Sequence, residues 1–131
     1  MDELPLFPLG GVLLPGAPLA LRIFEPRYVD MIGHCMREGA VFGVVLILEG
    51  ADTGARGAKR LAGAGTSARI TDFDTLPGGL LGISCVGERC FRVLERRQRE
   101  DGLHLGRVQW LTQQELPSDA DQLAALLARA E

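Results

Sequence analysis

From Phe42 to Leu111 one strand-like apolar segment follows another with no helical period between them, and this succession most narrows the fold. Phe42 to Leu48 is continuous and β-branched, the pattern of a central strand covered on both faces. Thr66 to Phe73, Leu80 to Val86, Phe91 to Arg97 and Leu103 to Leu111 follow as half-buried strands. Pro77-Gly78-Gly79 and Gly87-Glu88 read as the turns between them, and Glu49 to Gly63, rich in Gly and Ala, reads as a mobile loop. Strands in sequence without crossover helices curl into a barrel or sandwich; a doubly wound parallel sheet is excluded.

The ends obey other rules. Pro5, Pro8 and Pro15 interrupt the opening apolar stretch, so it is extended, and the missing N–H groups predict short edge segments. Leu19 to Phe24 supplies a fuller strand. Pro26 then suits the first position of a helix. Tyr28, Met31, Ile32, Cys35 and Met36 form its apolar stripe, Arg27, Asp30, Arg37 and Glu38 fall mainly on the other side, and Gly39 stops it. After Pro117, Ser118 and Asp121 predict a short helix whose Leu123, Leu126 and Leu127 must dock on the barrel or on another chain. The expected division is a barrel domain over 1–117 and a C-terminal helix over 118–131, the latter readable as the start of a helical extension.

With 131 residues the chain can bury one core unaided. Seventeen acidic residues outnumber fourteen basic ones, so no global positive field favours a phosphate backbone. The acidic Met1-Asp2-Glu3 start does not resemble an export signal, and no apolar run approaches the length of a membrane span. Three cysteines argue against a disulfide framework. These features predict a cytoplasmic protein without membrane contact.

Reactive chemistry finds no nominee. Gly54-Ala55-Arg56-Gly57-Ala58-Lys59-Arg60 is the nearest approach to a phosphate loop, but Ala stands where Gly should precede the lysine and Arg where a hydroxyl should hold magnesium. Lys59 is the sole lysine, and Ser67 and Ser84 fall within strands, so no serine–lysine dyad is indicated. His34 and Cys35 are adjacent on a helix and point about 100° apart, beyond hydrogen-bond reach. Cys85 and Cys90 lack the close pairing of a zinc site, and no carboxylate pair stands out. The expectation is no catalytic residue, no metal and no cofactor. Arg89, Arg92, Arg96, Arg97 and Arg99 form one basic cluster, which keeps an RNA-binding module as the alternative. Interleaved Glu88, Glu95, Glu100 and Asp101 and few stacking aromatics favour a solvated strand face.

Three stretches together resemble the Lon protease N-terminal domain family: Leu4-Pro5-Leu6-Phe7-Pro8-Leu9, Val12-Leu13-Leu14-Pro15-Gly16, and Leu21-Arg22-Ile23-Phe24-Glu25-Pro26-Arg27-Tyr28. The resemblance continues through Phe42 to Ile47, Gly65 to Ile70 and Gly87 to Val93, in order, up to Leu111. It implies a mainly β (α+β) fold: a PUA-like antiparallel β-barrel with one packed helix, followed here by a short C-terminal helix. It also implies a stand-alone bacterial form of a non-catalytic domain that engages protein substrates. Members of the family usually continue into a helical bundle, and His104-Leu105 stand where an aromatic is frequent. The segment joining strand to helix is the expected binding site, with Phe24, Glu25, Arg27 and Tyr28 as its residues. The structural reading of the same residues is helix initiation, dipole compensation, ion pairing and packing. Expected partners are unfolded or exposed polypeptide segments. A homodimer through the leucine stripe or the proline-rich edge is among the arrangements the sequence allows.

Overall fold

The computed structural model describes residues 2–50 and 58–130. Six strands and two helices follow in the order β1 (Asp2–Leu9), β2 (Pro18–Ile23), α1 (Pro26–Glu38), β3 (Phe42–Gly50), β4 (Ala58–Leu76), β5 (Leu80–Gln98), β6 (His104–Trp110) and α2 (Ala120–Leu127). Five of the strands close a ring, β5-β4-β3-β1-β6 and back to β5, while β2 stands outside it against β5. The class is mainly β with packed helices, as the sequence implies. β3 lies between β1 and β4, the central position that its uninterrupted apolar run requires.

Several expectations need correction. β1 is no edge segment: it pairs antiparallel with β6 and parallel with β3. Its two prolines are tolerated because the pairing is handed over at Leu6. Pro5 is in register with Leu105 of β6 and Pro8 with Val45 of β3, and Leu6 alone is in register with both neighbours. A proline facing one partner need not donate on its other side. The β1–β3 pair also makes the ring not wholly antiparallel, and the β2–α1 segment supplies the crossover that a parallel pair demands.

The turn expected at Gly87-Glu88 is instead a bend within the nineteen-residue β5. Gly87 accepts from Gly16 N at 2.7 Å and donates to Ala17 O at 2.9 Å. A side chain there would strike Leu14 O and Leu13. The glycine thus marks a close backbone approach, not a chain reversal. Pro77–Gly79 does reverse the chain, with Gly78 and Gly79 both at φ 80°. Beyond the ring, the distal halves of β4 and β5 continue with β2 as a three-stranded tongue.

The loop expected over Glu49 to Gly63 is also shorter than its composition suggests: Glu49 and Gly50 belong to β3, and β4 begins at Ala58. Residues Gly54 to Gly57 of the phosphate-loop candidate lie outside the described residues, and Ala58 to Arg60 are strand.

Helix α1 begins and ends as expected, with Pro26 at its first position and Gly39 in the left-handed region at φ 64°. Its buried face differs in one respect: Arg27 joins Tyr28, Met31, Ile32 and Cys35, whereas Met36 is exposed. Together with Phe7, Phe42, Val44, Ile83 and Leu105 this face forms the largest apolar cluster. A second cluster gathers Leu4, Leu6, Val45, Phe91, Val93 and Val108. In the third, Leu127 packs with Ala64, Cys90 and Leu111, and Leu123 and Leu126 lie against them. Asp119 caps α2 by accepting from Asp121 N at 2.7 Å. Both grounds for self-association are therefore taken up within the chain: the leucine stripe covers its own barrel, and the proline-rich strand is paired on both sides.

Candidate functional site

The strand-to-helix junction after β2 is fixed from within. Arg27, 4% exposed, extends its guanidinium to Glu25 Oε2 at 2.9 Å and donates from Nη1 to Gly102 O at 2.9 Å. The same guanidinium lies 4.7 Å from the centre of the Tyr28 ring, which rests 4.5 Å from that of Phe7. Gly102, at φ 92° in the β5–β6 turn, also receives Gln98 Nε2 at 2.9 Å. Arg27 thus ties the start of α1 to a turn 75 positions away. Its planar fork is the group able to meet a carboxylate and a carbonyl in different directions. Glu25 occupies the N-cap position without capping the helix by its side chain, which turns to Arg27 instead.

Of the four residues singled out from the sequence, Arg27 and Tyr28 are buried, Glu25 is half-buried, and Phe24 is 60% exposed. The structure brings all four together, but presents only the phenyl ring to solvent in any quantity. Folding has left this ring in water beside a junction held by the Arg27 contacts.

Two further exposed apolar residues, Met36 and Phe73, were not legible as a site. Met36, near the end of α1, and Phe73, 54% exposed on the β4 half of the tongue, line a cleft of about 430 Å³ with Cys35, Ile70 and Asp72. A second cleft, about 290 Å³, borders Phe73 and Asp72 and reaches Ala20, Leu21 and Arg22 of β2. The only sequence signal was Phe73 itself, an aromatic flanked by Asp72 and Asp74 in a strand that runs past the core.

The residues considered for chemistry do not converge. His34 is exposed while Cys35 is buried, and burial pushes the Cys35 thiol up to about 11, far from a thiolate at neutral pH. Cys85 is raised likewise to about 11, by burial and then by the neighbouring Cys35. Cys85 lies in the α1 cluster and Cys90 in the α2 cluster. Ser67 Oγ is occupied in accepting from Arg89 N at 3.0 Å. No group of three or more His, Cys, Asp or Glu that could hold a metal is found among the described residues. The arginine-rich face is charge-compensated in part: Arg97 pairs with Glu3 at 3.2 Å and Arg99 with Asp101 at 2.6 Å, Arg107 beside them pairs with Glu95 at 3.1 Å, and Arg89 lies over the Trp110 ring.

His104 is 4% exposed and its Nε2 has no hydrogen-bond partner among the described residues. Burial, reinforced by Arg96 and Arg27, lowers its pKa from 6.5 to about 4. The unfolded chain therefore binds the proton more readily, and stability falls as the pH drops from about 6.5 to about 4. The loss from this group amounts to roughly 3 kcal/mol. Urea unfolding of the protein and of His104→Gln at pH 7 and pH 4.5 should show a smaller acid-induced loss in the variant. Equal losses would mean that His104 does not carry the effect.

Comparison with known proteins accounts for this architecture. The sequence profile described as the ATP-dependent protease La (LON) substrate-binding domain matches residues 3–130, which includes both the barrel and α2. The Lon N-terminal domain protein from Xanthomonas campestris superposes with a TM-score of 0.74 at 46% identity, over 86% of this chain and 61% of that one. The N-terminal domain of a Mycobacterium avium complex Lon protease gives 0.65 at 15% identity, over 89% and 59%, and shows a shared fold. Cereblon from chicken is 32% identical over 123 residues, 90% of this chain and 26% of the relative. The zebrafish protein is also 32% identical, over 96% and 28%. The chain thus spans about a quarter of the cereblons and about three fifths of the Lon domains in these matches. With its profile matched almost end to end and its fold shared with Lon N-terminal domains, the chain belongs to the ATP-dependent protease La (LON) substrate-binding domain family.

Proposed function

We propose that this protein is a non-catalytic recognition domain that binds exposed polypeptide segments, and that Phe24 makes the contact while Glu25, Arg27 and Tyr28 hold it in place. The observation that carries this reading is the 60% exposure of Phe24 at a junction whose other residues are locked by the Arg27 clamp. Preorganised apolar groups bind without the entropy cost of ordering a loop. Met36 and Phe73 are further exposed apolar side chains, the kind of surface a domain engaging non-native chains requires. Membership of a substrate-binding family supports the same reading. We place its action in the cytoplasm, where the buried thiols Cys35, Cys85 and Cys90 would stay reduced. No helix among the described residues is long and apolar enough to cross a membrane.

Fluorescence anisotropy with labelled serum albumin that has been reduced and carboxymethylated tests the proposal. The protein should bind it, and Phe24→Ser should weaken binding by about tenfold, the equivalent of one buried aromatic contact of roughly 1.4 kcal/mol. The unfolding midpoint should stay within about 0.5 kcal/mol of its original stability, since the ring is solvent-facing. Absence of binding to the unfolded albumin would remove the proposal altogether.

A further inference from the structure

The fold leaves one strand edge open beside Phe24. Strand β2 is hydrogen-bonded to β5 on one side and has no strand neighbour on the other among the described residues. Which of its backbone groups face outward follows from one hydrogen bond. Gly87 N donates to Ala17 O, the residue opposite it one step before Pro18 and Val86, and this bond sets the phase of the ladder, although Ala17 N itself turns to Leu14 O. Alternation along an antiparallel ladder then bonds Leu19, Leu21 and Ile23 to β5 and turns the N–H and C=O of Ala20 and Arg22 away from it. Pro18, which has no N–H to offer, also falls at an outward position. All three outward residues are exposed.

The side chains along this edge select what could pair with it. Leu19, Leu21 and Ile23 face the α1 cluster, so alternate residues of an added strand would meet an apolar surface. On the opposite face Ala20 leaves room and Arg22 stands exposed, with no ion pair among the described residues. A residue directly across from Arg22 in a new strand would lie about 5 Å away between Cβ atoms, where opposite charge is favoured. The edge ends at Ile23, and the exposed Phe24 stands immediately past it.

We propose that the β2 edge adds an extended segment of a substrate polypeptide as a further strand, selecting apolar residues at alternate positions and an acidic residue opposite Arg22. This deepens, and rests on, the reading of the protein as a polypeptide-recognition domain. Main-chain hydrogen bonds to Ala20 and Arg22 supply sequence-independent affinity; Arg22 and the apolar face supply selection.

The test uses the whole chain, a short peptide alternating valine and glutamate, its valine and lysine counterpart, and the reduced, carboxymethylated albumin. Ala20→Pro removes an outward N–H while leaving the ladder to β5 intact, so circular dichroism and the unfolding midpoint should be nearly unchanged. Its affinity for the valine–glutamate peptide should fall at least about tenfold. Arg22→Glu, which alters no backbone group, should reverse the preference toward the valine–lysine peptide and covers the case in which the proline variant fails to fold. Amide exchange should slow at Ala20 and Arg22 on peptide binding. Albumin binding that survives Ala20→Pro, with unchanged peptide preference in Arg22→Glu, would overturn the added-strand mode and leave Phe24-dependent recognition standing. Protection of Ala20 and Arg22 that grows with protein concentration without peptide would also overturn it, assigning the edge to a second copy of the chain. Failure to bind albumin or either peptide would end both proposals.

Discussion

Replacing Arg27 with methionine will lower the unfolding free energy by about 4 kcal/mol, because it leaves a largely buried carboxylate and a turn carbonyl without their shared donor. Glu25, whose side chain is 16% exposed, loses its 2.9 Å partner, and Gly102 O retains only Gln98. Methionine keeps an unbranched stem of similar length, so the loss reports the guanidinium and not an empty volume. Arg27→Lys should recover less than half, since one ammonium cannot reproduce the planar fork that meets Glu25 and Gly102 together. Urea unfolding measures both. Amide exchange around residues 24–28 should accelerate in the methionine variant more than exchange in β3, because the junction is released before the core. A loss below about 1 kcal/mol would show that the clamp contributes no more than a surface ion pair.

The burial of Arg27 also shows where sequence reading stops. Helical spacing places it four residues before Met31 and eight before Cys35, on the margin of the apolar stripe, so residue type and not period is what assigns the arginine to solvent. What reverses that assignment is a carbonyl 75 positions later, and no local period encodes such a partner. The same limit explains Gly87 and the prolines of β1. Each is a correct local signal, an unpaired donor or a side-chain-free backbone, whose cause is a strand brought alongside by the whole topology. By contrast, the central position of β3, both ends of α1 and the Pro77–Gly79 reversal rest on burial patterns and caps within a few residues, and these were legible; for α2 the helix and its leucine stripe were legible, whereas its cap is Asp119 and not Ser118, and its docking surface was left open between the barrel and another chain. Of the proposed segment the sequence offered only the four residues as a group; that Phe24 is exposed while Arg27 and Tyr28 are buried required the fold.

Phe91→Ala is the second large effect to expect, about 4 kcal/mol of lost stability, and glycine positions make its cause testable. The ring is fully buried and meets Trp110 edge-on, with centroids 5.9 Å apart and planes at 85°. It lies over two glycines: a Cβ on Gly43 would stand 2.6 Å from Phe91 Cζ, and one on Gly65 2.8 Å from the same atom. The two sites differ in what else they would strike. At Gly43 the remaining obstacle is the flexible Leu6 side chain, whereas at Gly65 it is the Val44 carbonyl oxygen, which is backbone. Gly43→Ala should therefore cost about 2 kcal/mol in the native background and almost nothing beside Phe91→Ala, a coupling of about 2 kcal/mol. Gly65→Ala should remain costly in both. Denaturant midpoints for the two cycles decide the matter: equal additivity at both glycines would mean that the strands shift to accommodate the methyl group, and that Phe91 does not fix the spacing of β3, β4 and β5.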